Sequence, residues 1–438
     1  MTKEFAERIP FNAVFTLRRG LNITRANYQE DGVPCLSYGD VHSRYLGFVD
    51  ANINPLPKVS ENYIQTSPQC LLNIGDCVFA DTSEDYEGAG NCTCVLNDAQ
   101  GLFAGYHTTV ASPTTKDVCS RYYGYYFLSD DFRNQIRKKV TGIKVFSITN
   151  SILNATRILA PNLRTQENIA NFLDKKLRVV DDLIDKKREV LNKLSEYRQS
   201  LITQAVTKGL DPNVEMKDSG IEWIGRIPKH WNIARVGVLY RLSNGLSKGG
   251  ESFGHGLPFL TYGDAYKSTF TPKKLSGLVE TTTSERVNYS VKRGDVFFTR
   301  TSETVEEIGL SSTCLMDIPD GTFAGFLIRA RPQTTLITPE FAGFYFRSQC
   351  HRPFFIKEMN LVTRASLSQG LLSKLPVLIP PLEEQSQIYQ YLVESCQNLD
   401  SISANLRKTL EELDEYRSSL ISAAVTGKIS CEEVDHES

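Results

Sequence analysis

Leu194 to Thr207 reads LSEYRQSLITQAVT, and Leu413 to Thr426 reads LDEYRSSLISAAVT. Ten of the fourteen positions are identical. From Tyr197 to Tyr416 the offset is 219 residues, half of a 438-residue chain, and so long a period marks a duplicated domain rather than a solenoid. The same offset aligns Gly75-Asp76 with Gly294-Asp295, Thr82-Ser83-Glu84 with Thr301-Ser302-Glu303, Gly124 with Gly343 and Pro161 with Pro380. Small shifts bring Tyr38-Gly39-Asp40 onto Tyr262-Gly263-Asp264 and Phe103-Ala104-Gly105 onto Phe323-Ala324-Gly325. The chain is written twice.

Each half has two textures. Its first part alternates short apolar runs with Gly, Pro, Asn and Asp, as in VPCLSYGD or RGDVFFTRTS, the pattern of a loop-rich α+β domain. After the prolines of ILAPNLRTQEN and VLIPPLEEQSQ, helical periodicity runs on for about 40 residues without another proline. Four-three spacing picks out Leu173, Leu177, Val180, Ile184, Lys187, Leu191, Leu194, Arg198 and Leu201. Their counterparts are Leu392, Cys396, Leu399, Ser403, Leu406, Leu410, Leu413, Arg417 and Leu420. Such a seam predicts a coiled coil, most simply one helix antiparallel to the other, and leaves Val190 and Ile402 for outside partners. The expected fold class is therefore α+β, with two similar domains joined by two long antiparallel coiled-coil helices in a pseudo-twofold repeat. The expected boundaries are 1–160 and 211–380 for the domains, 161–210 and 381–430 for the helices, and 431–438 for an acidic tail.

Composition excludes several classes. With 41% hydrophobic residues the chain can bury a core in each domain. It has no apolar stretch long enough for a membrane span and no leader-like h-region, so a soluble, cytoplasmic protein with no membrane partner is expected. Its ten cysteines follow no framework spacing and read as reduced thiols packed as small hydrophobes. The Cys92-x-Cys94 unit, with Cys70, Cys77 and His107 near it, lacks the second matched pair of a zinc site, and no metal is expected. The net charge of −2 is concentrated in the second helix and the tail, leaving the rest mildly basic. DNA binding is thus not excluded.

Enzymatic readings fail on their residues. Asn54-Pro55-Leu56-Pro57 lacks the adjacent prolines and aromatic of a base-amine methyltransferase loop, and Phe253-Gly254-His255-Gly256 has the wrong spacing for a cofactor turn. No Walker A lysine loop is present, and Pro319-Asp320 is followed in its domain by no Asp/Glu-x-Lys. A non-catalytic protein is expected. A structural adaptor built on the helices and a fused modification enzyme are the alternatives from other classes.

SGIEWIGRIPKHW (219–231), LIPPLEEQSQI (378–388) and the two Glu-Tyr-Arg helix endings together resemble the specificity subunits of type I restriction-modification systems, over essentially the whole chain. Two departures stand out. The first junction has Asn162 for the second proline and Arg164-Thr165 for the acidic pair, and the N-terminal lead-in keeps Ile9-Pro10 but has no tryptophan. The resemblance implies a non-catalytic, DNA-reading subunit of a bacterial defence complex. Each target-recognition domain would read one half of a bipartite, asymmetric double-stranded DNA target. The helices would fix the spacer and dock two methyltransferase (modification) subunits through Tyr197, Arg198, Leu201, Tyr416, Arg417 and Leu420. Restriction (translocase/nuclease) subunits would complete the assembly, with S-adenosylmethionine, ATP and magnesium on the partners and no cofactor in this chain. Bases are read by paired donors and acceptors, and phosphates are held by cations and hydroxyls. Loops after repeat-matched strands that carry such groups are the expected DNA contacts: His42, Ser43, Arg44, Thr82, Ser83, Lys144 and Ser147 in the first half, and Tyr266, Lys267, Arg300, Thr301, Ser302, Arg364 and Ser366 in the second. Tyr38 and Tyr262 are expected to be core anchors.

Overall fold

The computed structural model describes residues 7–98, 101–142, 144–302, 307–358 and 365–431. Two compact units are present, residues 1–187 with 407–438, and residues 188–406. Each unit holds one α+β domain, the first half of one long helix and the second half of the other. Those helices run over Leu163–Lys208 and Leu382–Val425. The acidic tail beyond Cys431 lies outside the described residues.

In the first unit the main sheet has the order Phe15–Arg19, Thr108–Pro113, Cys77–Ala80, Cys92–Asn97, Gly47–Asp50. In the second the order is Tyr240–Asn244, Leu327–Pro332, Val296–Thr299, Ser311–Thr313. The fifth strand shrinks there to one parallel bridge from Phe270 to Thr313, at the place where Phe48 pairs with Cys94 in the first unit. Both phenylalanines explain a repeated glycine, because a Cβ on Gly124 would meet Phe48 at 2.3 Å and one on Gly343 would meet Phe270 at 2.2 Å.

The strand that follows each Gly-Asp is buried on both faces, which is why it reads as an unbroken apolar run. In the first unit Cys77 and Phe79 face a core with the aromatic helix Ser120–Leu128, whose Phe127 ring lies 4.5 Å from that of Phe132. Val78 and Ala80 point the other way, to Leu36, Val41 and Val49. In the second unit Val296 and Phe298 face Trp231, Phe341 and Tyr345, while Phe297 faces Leu260 and Phe323. The Gly-Asp turns are alike as well. Asp76 and Asp295 are buried and accept from the backbone N–H of Asn73 (3.0 Å) and Lys292 (2.8 Å). Their charges are met from different strands, by Arg18 (2.5 Å) in one unit and Arg331 (2.6 Å) in the other.

Helix seams fall where four-three spacing puts them. Leu173, Leu177, Val180 and Ile184 are buried, as are Leu392, Cys396 and Leu399, and the remaining seam positions are half-buried. In the first unit Leu173 and Leu177 share a core with Ile421 and Val425; in the second Leu392 and Cys396 share one with Ile202 and Val206, their repeat counterparts. Arg417 Nε donates to Asp181 at 2.9 Å, and Arg198 lies 3.6 Å from Asp400. These are one ion pair written twice, and its register makes the helix halves antiparallel within each unit.

Both junctions into the long helices are held by a buried glutamine. Gln385 Oε1 accepts from Thr338 N (2.8 Å), and its Nε2 donates to Leu336 O (2.7 Å) and Pro380 O (2.9 Å). Gln166 repeats the pattern with Cys119 N, Asp117 O and Pro161 O. Asn162, standing where the second junction has Pro381, accepts from Thr165 N at 2.9 Å and so acts as an N-cap. The missing tryptophan and missing acidic pair of the first half are one departure: Glu384 Oε2 accepts from Trp231 Nε1 (2.9 Å) and is 2.7 Å from His230 Nε2. Where Thr165 replaces that glutamate, an indole N–H would have no acceptor.

One expectation is corrected. Cys77 and Cys94 form a disulfide, where reduced thiols are expected from the spacing. They face each other in register on adjacent antiparallel strands with Cα atoms 4.1 Å apart, a proximity that a sequence separation of 17 conceals. The other eight cysteines are free. Thiol titration of the denatured chain should therefore count two more groups after reduction than before; equal counts would show the pair to be reduced.

Candidate nucleic-acid interface

Each unit builds the same junction from three distant segments. In the first, Asp81 N donates to His107 O (3.1 Å) and Ile148 N donates to Asp81 O (2.7 Å), beside the pairing of Thr82 with Ser147. In the second, Arg300 N donates to Phe326 O (2.9 Å) and Leu367 N donates to Arg300 O (2.8 Å), beside the pairing of Thr301 with Ser366. Ile148 and Leu367 are buried and anchor the node. The repeated Thr-Ser is thus a short strand that leaves the central sheet and pairs with the segment before the last small helix.

The repeated Tyr-Gly-Asp packs onto this node. Asp40 and Asp264 each accept from the backbone N–H three residues earlier, at Ser37 (3.1 Å) and Thr261 (3.0 Å). That bond starts the helical turns Asp40–Arg44 and Tyr262–Lys267. Tyr262 and Tyr38 are half-buried and pack against the cores beside their turns. Tyr262 donates to Thr301 O at 3.1 Å, and Tyr38 stacks on His42 with ring centroids 5.1 Å apart.

The expected contact residues separate into those free to meet a ligand and those engaged within the fold. Ser43, Arg44, Lys144, Ser147, Lys267 and Ser366 are exposed, and Thr82, Arg300 and Thr301 are half-buried. Ser83 is buried; its Oγ donates to Asp85 O (2.6 Å) and lies 2.9 Å from His42 Nε2. Tyr266 donates to Glu307 at 2.7 Å, a bond that raises its pKa. Arg347 secures the same helix by donating to Ala265 O (3.2 Å) and Tyr266 O (2.6 Å). Arg364 and the side chain of Ser302 lie outside the described residues. Sequence reading omitted Asp81 and Phe326 and weighed His107 only as a metal ligand. The available signal was position: residues 81 and 300 immediately precede the matched Thr-Ser.

Cations gather on the second unit's sheet. Arg241 faces Arg331 across two strands, with Arg329 two residues away. Burial and then the Arg331 charge push Arg329 down to about 10, so it keeps its proton at neutral pH. Among the described residues no group of three His, Cys, Asp or Glu is placed to hold a metal ion.

A family model described as type I restriction modification DNA specificity domain matches residues 10–193 and 252–412. The chain belongs to this family. It is similar along 97% of its length to the specificity subunit of the EcoKI enzyme of Escherichia coli K12, at 24% identity and 89% of that relative. It resembles the StySPI specificity subunit of Salmonella potsdam equally broadly, at 23% identity over 97% of this chain and 89% of the other. Among solved structures, a chain of a type I R-M system studied for complex assembly and conformational transition gives a TM-score of 0.72 at 16% identity, covering 97% of this chain and 98% of the other. The HsdS subunit of Thermoanaerobacter tengcongensis gives 0.50 at 17% identity, covering 97% of each chain. Each of the two units carries one copy of the repeated node. Among the described residues no helix is long and apolar enough to cross a membrane.

Proposed function

We propose that this non-catalytic specificity subunit reads a bipartite, asymmetric double-stranded DNA target, one half-site to each unit, while its long helices set the spacer and dock two modification subunits. The observation that carries this reading is the node built twice on one backbone with different side chains. Equal frames give equal modes of approach, and unequal side chains give unequal half-sites. Of the six residues expected to dock partners, Tyr197 and Tyr416 are 56% and 53% exposed. Arg198 and Arg417 are engaged with Asp400 and Asp181, and Leu201 and Leu420 pack on the cores. Docking would then rest on the tyrosines with Val190 and Ile402, which are exposed on the same helices. S-adenosylmethionine, ATP and magnesium would act on the modification and restriction subunits, in the cytoplasm.

The test maps methylated bases in DNA treated with the chain assembled with its modification subunits. One motif with two specified blocks and no palindromic symmetry is expected. Arg300→Ala should lower discrimination in one block by about 1–3 kcal/mol and leave the other unchanged. A palindromic motif, or equal loss in both blocks, would sink the proposal.

A further inference from the structure

The geometry points to His107 of the first unit, and Arg300 and Phe326 of the second, as base-reading residues, with Asp81 orienting His107. This rests on the DNA-reading role proposed above and adds three residues to it: Asp81, His107 and Phe326. Each pair is joined by the same backbone bond, from Asp81 N to His107 O and from Arg300 N to Phe326 O. The frame is therefore fixed independently of the side chains it presents. His107 is 60% exposed and Phe326 is 64% exposed, although each is flanked by a buried residue, Thr108 or Leu327. A phenylalanine held in water by a rigid turn stabilises nothing in the free chain, and its apolar surface suits an apolar partner.

The side chains differ in chemistry. His107 holds an uncommon left-handed backbone conformation, φ 53°, which aims its ring outward, and its Nδ1 lies 3.1 Å from Asp81 Oδ1. In the neutral ring the Asp81 carboxylate accepts from Nδ1–H, which leaves Nε2 as the acceptor. In a major groove an acceptor suits the exocyclic amino group of adenine or cytosine. Phe326 suits the thymine C5-methyl group, and Arg300 beside it offers the paired donors that match guanine O6 and N7. One frame thus reads an amino-bearing base in the first half-site and a thymine near a guanine in the second.

The experiment uses the full chain assembled with its modification subunits, with methylation rates measured on DNA carrying each base at every motif position. Phe326→Ala should lower discrimination at a single thymine position of one half-site ~10- to 100-fold. His107→Gly, which keeps the backbone conformation available, should do the same at a single adenine or cytosine of the other half-site. Val287→Ala, at an exposed position away from the node, serves as the control and should change neither. Unfolding midpoints equal to the parent chain's would confirm that the surface alone has changed. Equal loss on all sequences with an altered salt slope would mean that the node meets phosphates, and overturns the assignment. Unchanged discrimination also overturns it. A parent assembly that methylates without a bipartite motif would overturn this inference together with the function beneath it, which separates the two failures.

Discussion

Trp231→Ala is expected to destabilise the second unit by about 3–5 kcal/mol, the cost of emptying a fully buried aromatic site. The indole lies in the core with Val236, Phe341 and Ile388, and its N–H is spent on Glu384 in the first turn of the second long helix. Removing it leaves a cavity and takes one donor from a carboxylate that ties the Ile-Pro-Lys-His-Trp turn to that helix. Trp231→Phe separates the contributions. It keeps most of the apolar volume and loses the hydrogen bond, so about 1–1.5 kcal/mol should go. Trp223 and Trp231 are the chain's two tryptophans, and both lie in the second unit. In Trp231→Ala the fluorescence of Trp223 still reports that unit's denaturant transition. A midpoint that does not move would show that the contact is not structural.

The repeat made the architecture legible because duplication preserves spacing, and spacing is what a sequence displays. Helix seams follow from it, since one missing residue would swing every later leucine about 100° off its stripe. Gly124 and Gly343 were visible as a matched pair, but their cause, a phenylalanine ring pressed against the backbone, comes from strands distant in sequence. Compensation of the buried aspartates was hidden for the same reason: Arg18 and Arg331 are not repeat counterparts, yet each neutralises the matched carboxylate. Arg331 comes from the strand beside the Gly-Asp strand and Arg18 from the strand one further out, so the solution differs while the need stays.

Candidate contacts were harder to read. Spacing located the Thr-Ser segments but could not tell an exposed hydroxyl from Ser83, whose oxygen is enclosed between His42 and a backbone carbonyl. The same difficulty hid Asp81 and Phe326. A reading role at the node would depend on which side chain sits opposite a backbone bond spanning 26 residues, and divergence there is what two different half-sites would require.

Gln385→Leu should cost roughly 3 kcal/mol although it exchanges a polar core residue for an apolar one of similar size. Gln385 is buried, and its amide satisfies three backbone groups at once: Thr338 N, Leu336 O and Pro380 O. Leucine can satisfy none of them. Each group left buried without a partner costs about 1–3 kcal/mol. Water should reach Leu336 O, since that residue is exposed, so the penalty falls on Thr338 N and Pro380 O, and the gain from burying leucine offsets part of it. Gln385→Glu restores the acceptor for Thr338 N but sets a carboxylate against the two carbonyls, and should do no better at neutral pH. Denaturant unfolding followed by tryptophan fluorescence checks the result in the unit that holds both indoles. Gln166→Leu is the internal control, because its amide makes the same three bonds in the first unit. Its loss should appear chiefly in far-UV circular dichroism, with a smaller shift in the tryptophan signal than Gln385→Leu produces. Equal fluorescence shifts for the two variants, or none for Gln385→Leu, would mean that these amides do not hold the helix junctions of their own units.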